Sequence, residues 1–131
     1  MKISSGLIIR PEPLEKILSG RKKWEMRSAR TQKRETVALI KKGSKAIFGV
    51  ADIVDSKGPL SREEMLANIS LHLIGPDRID TPEVSKWRCP WVLENVRRLK
   101  TPIPYIHKGG VTFVNLDDEA LAKLTQTLAE L

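Results

Sequence analysis

The sequence has few of the residues on which secreted, membrane-bound or metal-binding proteins depend. It contains one cysteine, Cys89, whereas a secreted domain of this size usually carries paired cysteines, so a reducing, cytoplasmic compartment is expected. The apolar run near the N-terminus stops at Arg10 and Pro11, which makes it too short for a signal peptide or a membrane span. The two histidines, His72 and His107, lie far apart, so neither a metal site nor another cofactor is expected.

The sequence does contain enough apolar residues to form a core, and its charged residues are unevenly distributed. Hydrophobic residues make up 40% and charged residues 30%, which favours one folded domain spanning residues 1–131. The net charge is +7, and residues 16–45 hold eleven Lys or Arg against two Glu. A concentrated basic region attracts polyanions, so RNA or a nucleotide is a candidate partner, the alternative being a solvated charged face.

The pattern of apolar residues predicts an α+β domain with five to six strands and short helices. Helical crossovers are missing between most strands, so the sheet is expected to be mixed but mostly antiparallel and to curl into a barrel. The predicted strands are 3–9, 23–28, 37–40, 46–54, 91–99 and 111–116. Short helices are expected after Pro11 and after Ser61, whose spacing to Glu64 is that of a capping box. Residues 72–86 are interpreted as a long loop, and an amphipathic helix is expected over about 117–129.

The segment from Gly20 to Arg27 carries the strongest functional signal. Side chains alternate along a strand, so Lys23, Glu25 and Arg27 are expected on one face, with Trp24 and Met26 in the core. The row is either a surface ladder of charge pairs, each contributing about 1 kcal/mol or less, or the lining of a cleft. In a cleft, Glu25 would accept hydrogen bonds from a base or sugar while the cations bind phosphate.

Several residues outside that row are further candidates for ligand binding. Lys22 lies at the junction of helix and strand, where its side chain reaches over the mouth of a barrel. Arg30 lies in a polar loop suited to contacts with a phosphate backbone. Trp87 is expected to be the exposed tryptophan that stacks on a base, the other two being core residues. His107 and Lys108 precede two glycines that either let a phosphate approach the main chain or form a plain turn.

These segments, in this order, resemble the ASCH domain family, which is related to the PUA RNA-binding domain. The resemblance covers about residues 7–116 and rests on Gly20-x-Lys22-x-x-Glu25-x-Arg27, Val37–Ile40, Phe48-Gly49-Val50-Ala51, the stretch from Trp87 to Asn95, and Val111–Leu116. It implies a PUA-like β-barrel that binds RNA or modified nucleosides near Lys22, Glu25 and Arg27, with His107 and Lys108 close by. The helix at 117–129 is an addition to that pattern.

The resemblance also suggests an enzymatic alternative to a binding function. One branch of the family removes the acetyl group from acetylated cytidine with a Lys, a Thr and a Glu. Lys22 matches that Lys, but Glu25 stands where the branch has Thr. Our first hypothesis is therefore a module that binds RNA or a nucleotide. The alternatives are an amidohydrolase with Lys22 and Glu25 as catalytic residues, in which neighbouring cations lower the pKa of Lys22, and, less favoured, a metal-independent ribonuclease.

Overall fold

A mixed sheet of six strands forms the frame of the protein. The computed structural model describes residues 2–131. The strands are β1 (Ile3–Ile9), β2 (Trp24–Arg27), β3 (Thr36–Lys41), β4 (Ala46–Ser56), β5 (Cys89–Pro104) and β6 (Phe113–Asn115). They are hydrogen-bonded in the order β2-β5-β4-β3-β1-β6, and only β1 and β3 run parallel. The predicted α+β class with a mostly antiparallel sheet is confirmed.

The sheet curls so far that strands distant in the hydrogen-bonding order come into contact. Trp91 on β5 stacks on Phe113 of β6, with the ring centroids 5.3 Å apart and the planes 2° from parallel. Arg27 on β2 donates a hydrogen bond of 2.7 Å from Nη2 to the main-chain oxygen of Ile8 on β1. Strong twist of a sheet this narrow allows the two edges to approach. The result is a half-barrel, with side chains of β2 meeting the main chain of β1.

Five short helices pack around this half-barrel. They are α1 (Pro11–Leu18), α2 (Arg62–Ala67), α3 (Ile69–His72), α4 (Pro76–Ile79) and α5 (Asp118–Ala129). The predicted capping box starts α2, since Ser61 Oγ accepts from the Glu64 amide at 3.1 Å and Glu64 returns the bond to the Ser61 amide at 3.0 Å. No helix within residues 2–131 is long and apolar enough to cross a membrane.

The core falls into three apolar clusters. One packs α1 against one face of the sheet, with Leu14 and Ile17 fully covered. A second packs α5 against the opposite face, with Leu124 at its centre. The third lies under α2 to α4 and takes in Trp24 and Met26 of β2. Helices α2 to α4 thereby cover Trp24 and Met26 of β2.

Two predictions of local structure are wrong. Residues 72–86 are not a structureless loop, since they contain α4 and a 3-10 turn at Val84–Lys86 that close the third cluster. The strand predicted over 91–99 is also longer than expected, because β5 continues through Pro102 to Pro104. Only the first residues of β5 pair with β2, so the prolines lie where that side of the strand has no partner and an amide donor is not needed.

Candidate functional site

A cleft of about 560 Å³ opens beside β2, between the start of α1 and the chain that runs from His72 to Trp87. Four of the predicted site residues line it: Lys22, Glu25, Arg27 and Trp87. The first two form its floor, because they are 5% and 6% exposed, respectively. Two ionisable side chains so deeply buried at the bottom of an open cleft are the unusual feature of this structure, since charged groups are rarely buried without a specific role.

Lys22 is oriented by a main-chain carbonyl. Its Nζ donates a hydrogen bond of 2.8 Å to the oxygen of His72, which is one of the three hydrogen bonds that an ammonium group can donate. Burial lowers the pKa of Lys22 to about 8, the carboxylate of Glu25 opposes this shift, and Lys16 adds to it. The expectation that the basic neighbours in the sequence lower this pKa is therefore wrong as to cause, because desolvation is the main one. Near pH 8 the amine is both a hydrogen-bond donor and a weak base.

Glu25 is held by Arg27 through one oxygen only. Arg27 donates to Oε2 of Glu25 from Nε at 3.2 Å and from Nη2 at 2.9 Å. Oε1 of Glu25 accepts no hydrogen bond from residues 2–131 while the side chain lines the cleft. Arg27 itself is already engaged, since Nη2 also reaches Ile8 and the guanidinium lies 5.4 Å from the Trp91 ring. The floor thus offers a ligand one carboxylate oxygen and the amine of Lys22.

His72 fixes the chain segment that holds Lys22. The ring is 1% exposed, its Nε2 lies 2.7 Å from the oxygen of Met65, and its Nδ1 accepts from the amide of Ile74 at 2.9 Å. This pair of bonds requires the neutral ring with the proton on Nε2. Burial, the largest contribution, lowers the pKa of His72 and favours that neutral form. His72 therefore sets the position of its own carbonyl, and through it that of Lys22.

The structure does not bring every predicted residue into the cleft. Lys23 precedes β2 and is exposed, outside the cleft wall, so the predicted row of three charges on one face is wrong. Arg30 bonds instead to the oxygen of Ser56 at 3.2 Å. His107 and Lys108 are exposed in the loop before β6 and also lie outside the wall, although Val111 of the same loop reaches it.

Sequence reasoning missed much of the charged rim. The lining includes the cations Arg10, Lys16, Lys42 and Arg78 and the acids Glu12 and Glu83. Together with the floor this gives six cations and three carboxylates, a net charge of +3 when Lys22 is protonated. Lys16 and Lys42 belong to the basic third of the chain noted above, but Arg10 and Arg78 lie outside it. A charge count along the sequence could therefore have found only half of this rim.

The start of α1 contributes little to anion binding through its main chain. Pro11 and Pro13 have no amide hydrogen, and the amide of Leu14 already donates to the oxygen of Arg10. The first turn of this helix therefore presents a single free donor, the amide of Glu12, to the cleft. Anion binding here depends on side chains. Within residues 2–131 no group of three His, Cys, Asp or Glu side chains is placed to hold a metal ion.

The curled mixed sheet, the helices at its ends and the cleft at its mouth define a small α+β half-barrel of PUA-like architecture. The model of the ASCH domain matches residues 7–103, which is 97 of the 131 residues. The chain belongs to the ASCH domain family. Among curated proteins, none matches this sequence significantly.

Solved structures of an ASCH protein from Zymomonas mobilis share the fold. A point mutant of that protein has a TM-score of 0.71 at 16% identity, with 96% of this chain and 98% of that chain covered. The structure of the same protein with no named mutation has a TM-score of 0.68 at 16% identity, with 97% of this chain and 94% of that chain covered. A second point mutant gives 0.67 at 13% identity, covering 93% and 94%. The likeness extends over almost the whole chain, including α5.

Proposed function

We propose that this ASCH domain protein binds RNA or a nucleotide in the cleft around Lys22, Glu25 and Arg27. The observation that carries the proposal is the floor: two side chains more than nine-tenths buried, each with unused hydrogen-bonding capacity toward the cleft. A cytoplasmic location, expected from the single cysteine, suits such a ligand.

The chemistry of the cleft fits the parts of a nucleotide. Glu25 Oε1 accepts from an amino or hydroxyl group, and Lys22 donates to a ring nitrogen or carbonyl oxygen. Trp87 is half-buried in the wall, with the Arg10 guanidinium 5.0 Å from its ring, and offers an aromatic surface for a base. The cations of the rim attract the phosphates. In this arrangement Arg27 positions Glu25 and does not itself carry the phosphate.

Binding of a labelled single-stranded RNA, followed by fluorescence anisotropy over a salt series, tests the proposal. Affinity should fall steeply as salt rises, because phosphate contacts release counterions. The variants Lys22→Met and Glu25→Gln should each weaken binding about tenfold or more, since each removes a hydrogen bond to a charged group. Lys100→Gln, an exposed cation of β5 outside the cleft, is the matched control and should bind like the parent protein. Unchanged affinity in both floor variants would remove the assignment to this cleft.

One observation favours a second function, hydrolysis of an acyl group on a modified nucleoside such as acetylated cytidine. Amide hydrolysis needs a base that is neutral near the working pH, and Lys22 has a pKa of about 8 beside an open carboxylate. Incubation with acetylated cytidine should release cytidine at a rate that rises with pH through about 8. Lys22→Arg keeps a cation but removes the base, so this variant should bind the nucleoside without turning it over. Turnover by Lys22→Arg at the parental rate would exclude Lys22 as the base.

A further inference from the structure

We propose that the ligand of this cleft carries a phosphate monoester and enters with its base first, as a nucleoside monophosphate or the phosphorylated end of an RNA. The inference rests on the proposed function and adds to it the charge and the orientation of the ligand.

The charge follows from the ion pairs within the cleft. Two of the three carboxylates are paired, Glu25 with Arg27 at 2.9 Å and Glu83 with Arg10 at 3.4 Å. Four lining cations have no salt bridge among residues 2–131, namely Lys16, Lys22, Lys42 and Arg78, and they face the one unpaired acid, Glu12. Without Lys22, which lies at the floor, the rim has a surplus of two positive charges. This surplus is better matched by a monoester, which carries about −1.5 to −2 near pH 7, than by a diester link with a single charge.

The orientation follows from Glu25. Its carboxylate lies at the floor with one oxygen unused, so a phosphate placed there would be repelled, whereas a neutral group with an N–H or O–H donor would be bound. Lys42 and Arg78 are exposed at the rim, where a phosphate keeps part of its hydration. Because prolines remove most amide donors from the start of α1, the phosphate is held mainly by side chains of the rim, among them Lys42 and Arg78.

The size of the cleft limits how much of a nucleic acid it can take. A volume of about 560 Å³ lies within the range of pockets that enclose a single small molecule. An RNA chain would therefore place one nucleotide inside, and a terminal nucleotide does so without the chain having to enter and leave the cleft. The terminal phosphate of an RNA and the phosphate of a free nucleotide have the same chemistry, and the experiment separates these two sources.

Isothermal titration calorimetry with a panel of ligands tests the inference. The probes are the four nucleoside 5′-monophosphates, the four nucleosides, inorganic phosphate, and one short RNA with and without a 5′-phosphate. At least one monophosphate should bind about tenfold tighter than its nucleoside, as a charge-assisted contact is worth that factor. Lys42→Gln and Arg78→Gln should each remove most of this gain and leave nucleoside binding unchanged, while Lys100→Gln should change neither.

Each other outcome overturns the inference in a recognisable way. Equal affinity for every nucleoside and its monophosphate, together with equal affinity for RNA with and without its 5′-phosphate, would refute the monoester and leave the proposed function standing. Binding of inorganic phosphate as tight as that of any nucleotide would refute the base-first orientation. Failure of every nucleoside, nucleotide and RNA to bind would refute the proposed function along with the inference. If the inference holds, a free nucleotide that binds as well as the phosphorylated RNA identifies the nucleotide as the ligand, and a much weaker one identifies the RNA end.

Discussion

Replacing Lys22 by methionine should stabilise the protein near neutral pH while weakening ligand binding. The pKa of Lys22 falls from 10.5 to about 8 on folding. At 1.36 kcal/mol for each pKa unit, holding the charged form in the cleft costs about 3 kcal/mol. Methionine has a similar length and no charge, so it removes that cost but also the hydrogen bond to His72, worth roughly 2 kcal/mol. The expected net gain at pH 7 is about 1 kcal/mol.

The pH dependence gives a sharper test than the value at one pH. Folding lowers this pKa, so between about pH 8 and 10.5 the unfolded chain binds a proton at Lys22 that the native protein has lost. Stability of the parent protein therefore rises over this interval relative to that of Lys22→Met, by about 3 kcal/mol in total. This difference depends only on the shift in the pKa of Lys22, so it needs no separate value for the hydrogen bond to His72.

Urea unfolding of both proteins at pH 7 and pH 11 measures this change. Any other group that titrates in this interval does so in both proteins, so its contribution cancels. Lys23→Met is the matched control, since Lys23 is exposed and adjacent in the sequence; its effect on the free energy of unfolding should be small at each pH. A difference between parent and Lys22→Met that stays constant from pH 7 to 11 would show that Lys22 is not desolvated as its burial implies.

Three further perturbations test the parts around this residue. Arg27→Met should lower the free energy of unfolding by about 2 kcal/mol, because it leaves the carboxylate of Glu25 buried without its partner, and a second change of Glu25→Gln should recover part of the loss. Native His72 must be neutral and its pKa is lowered, so the free energy of unfolding should fall as pH drops below about 6.5. A His72→Asn protein whose free energy of unfolding falls as steeply as that of the parent from pH 7 to 5.5 would contradict this. Gly49→Ala should cost about 1–3 kcal/mol in chemical denaturation, because the added carbon would lie 2.6 Å from a main-chain oxygen of β5 and 2.7 Å from Leu18, and an unchanged midpoint would show that α1 can move away.

The order of the elements could be predicted because local signals agree with the final packing. β-branched runs mark β1, β3 and β4, and the capping box at Ser61 marks the start of α2. The error at residues 72–86 has a physical cause. Four-residue helices such as α4 have too few periodic positions to give a pattern, and tertiary contacts of Ile79 and Val84 stabilise them.

The floor of the cleft was predictable and its rim was not. Lys22, Glu25 and Arg27 are neighbours in the sequence, so one short motif brings them together. The predicted alternation failed for Lys23 because β2 starts only at Trp24, so the strand geometry does not extend to Lys23. Arg78 reaches the same cleft from a distant segment, and only the tertiary fold places it there.

The contacts of Arg27 with both Glu25 and Ile8 limit which residues of the cleft can vary during evolution. Arg27 holds Glu25 and also joins β2 to β1, so a mutation of Arg27 alters the floor and also loosens the half-barrel. The side chains of Lys42 and Arg78 form no hydrogen bond or salt bridge with any residue from 2 to 131. Within this one cleft, Lys42 and Arg78 should therefore tolerate substitution better than Arg27 does. New ligand preferences are expected to arise by substitution at the rim, while Glu25 and Arg27 are kept constant by the requirement for a stable fold.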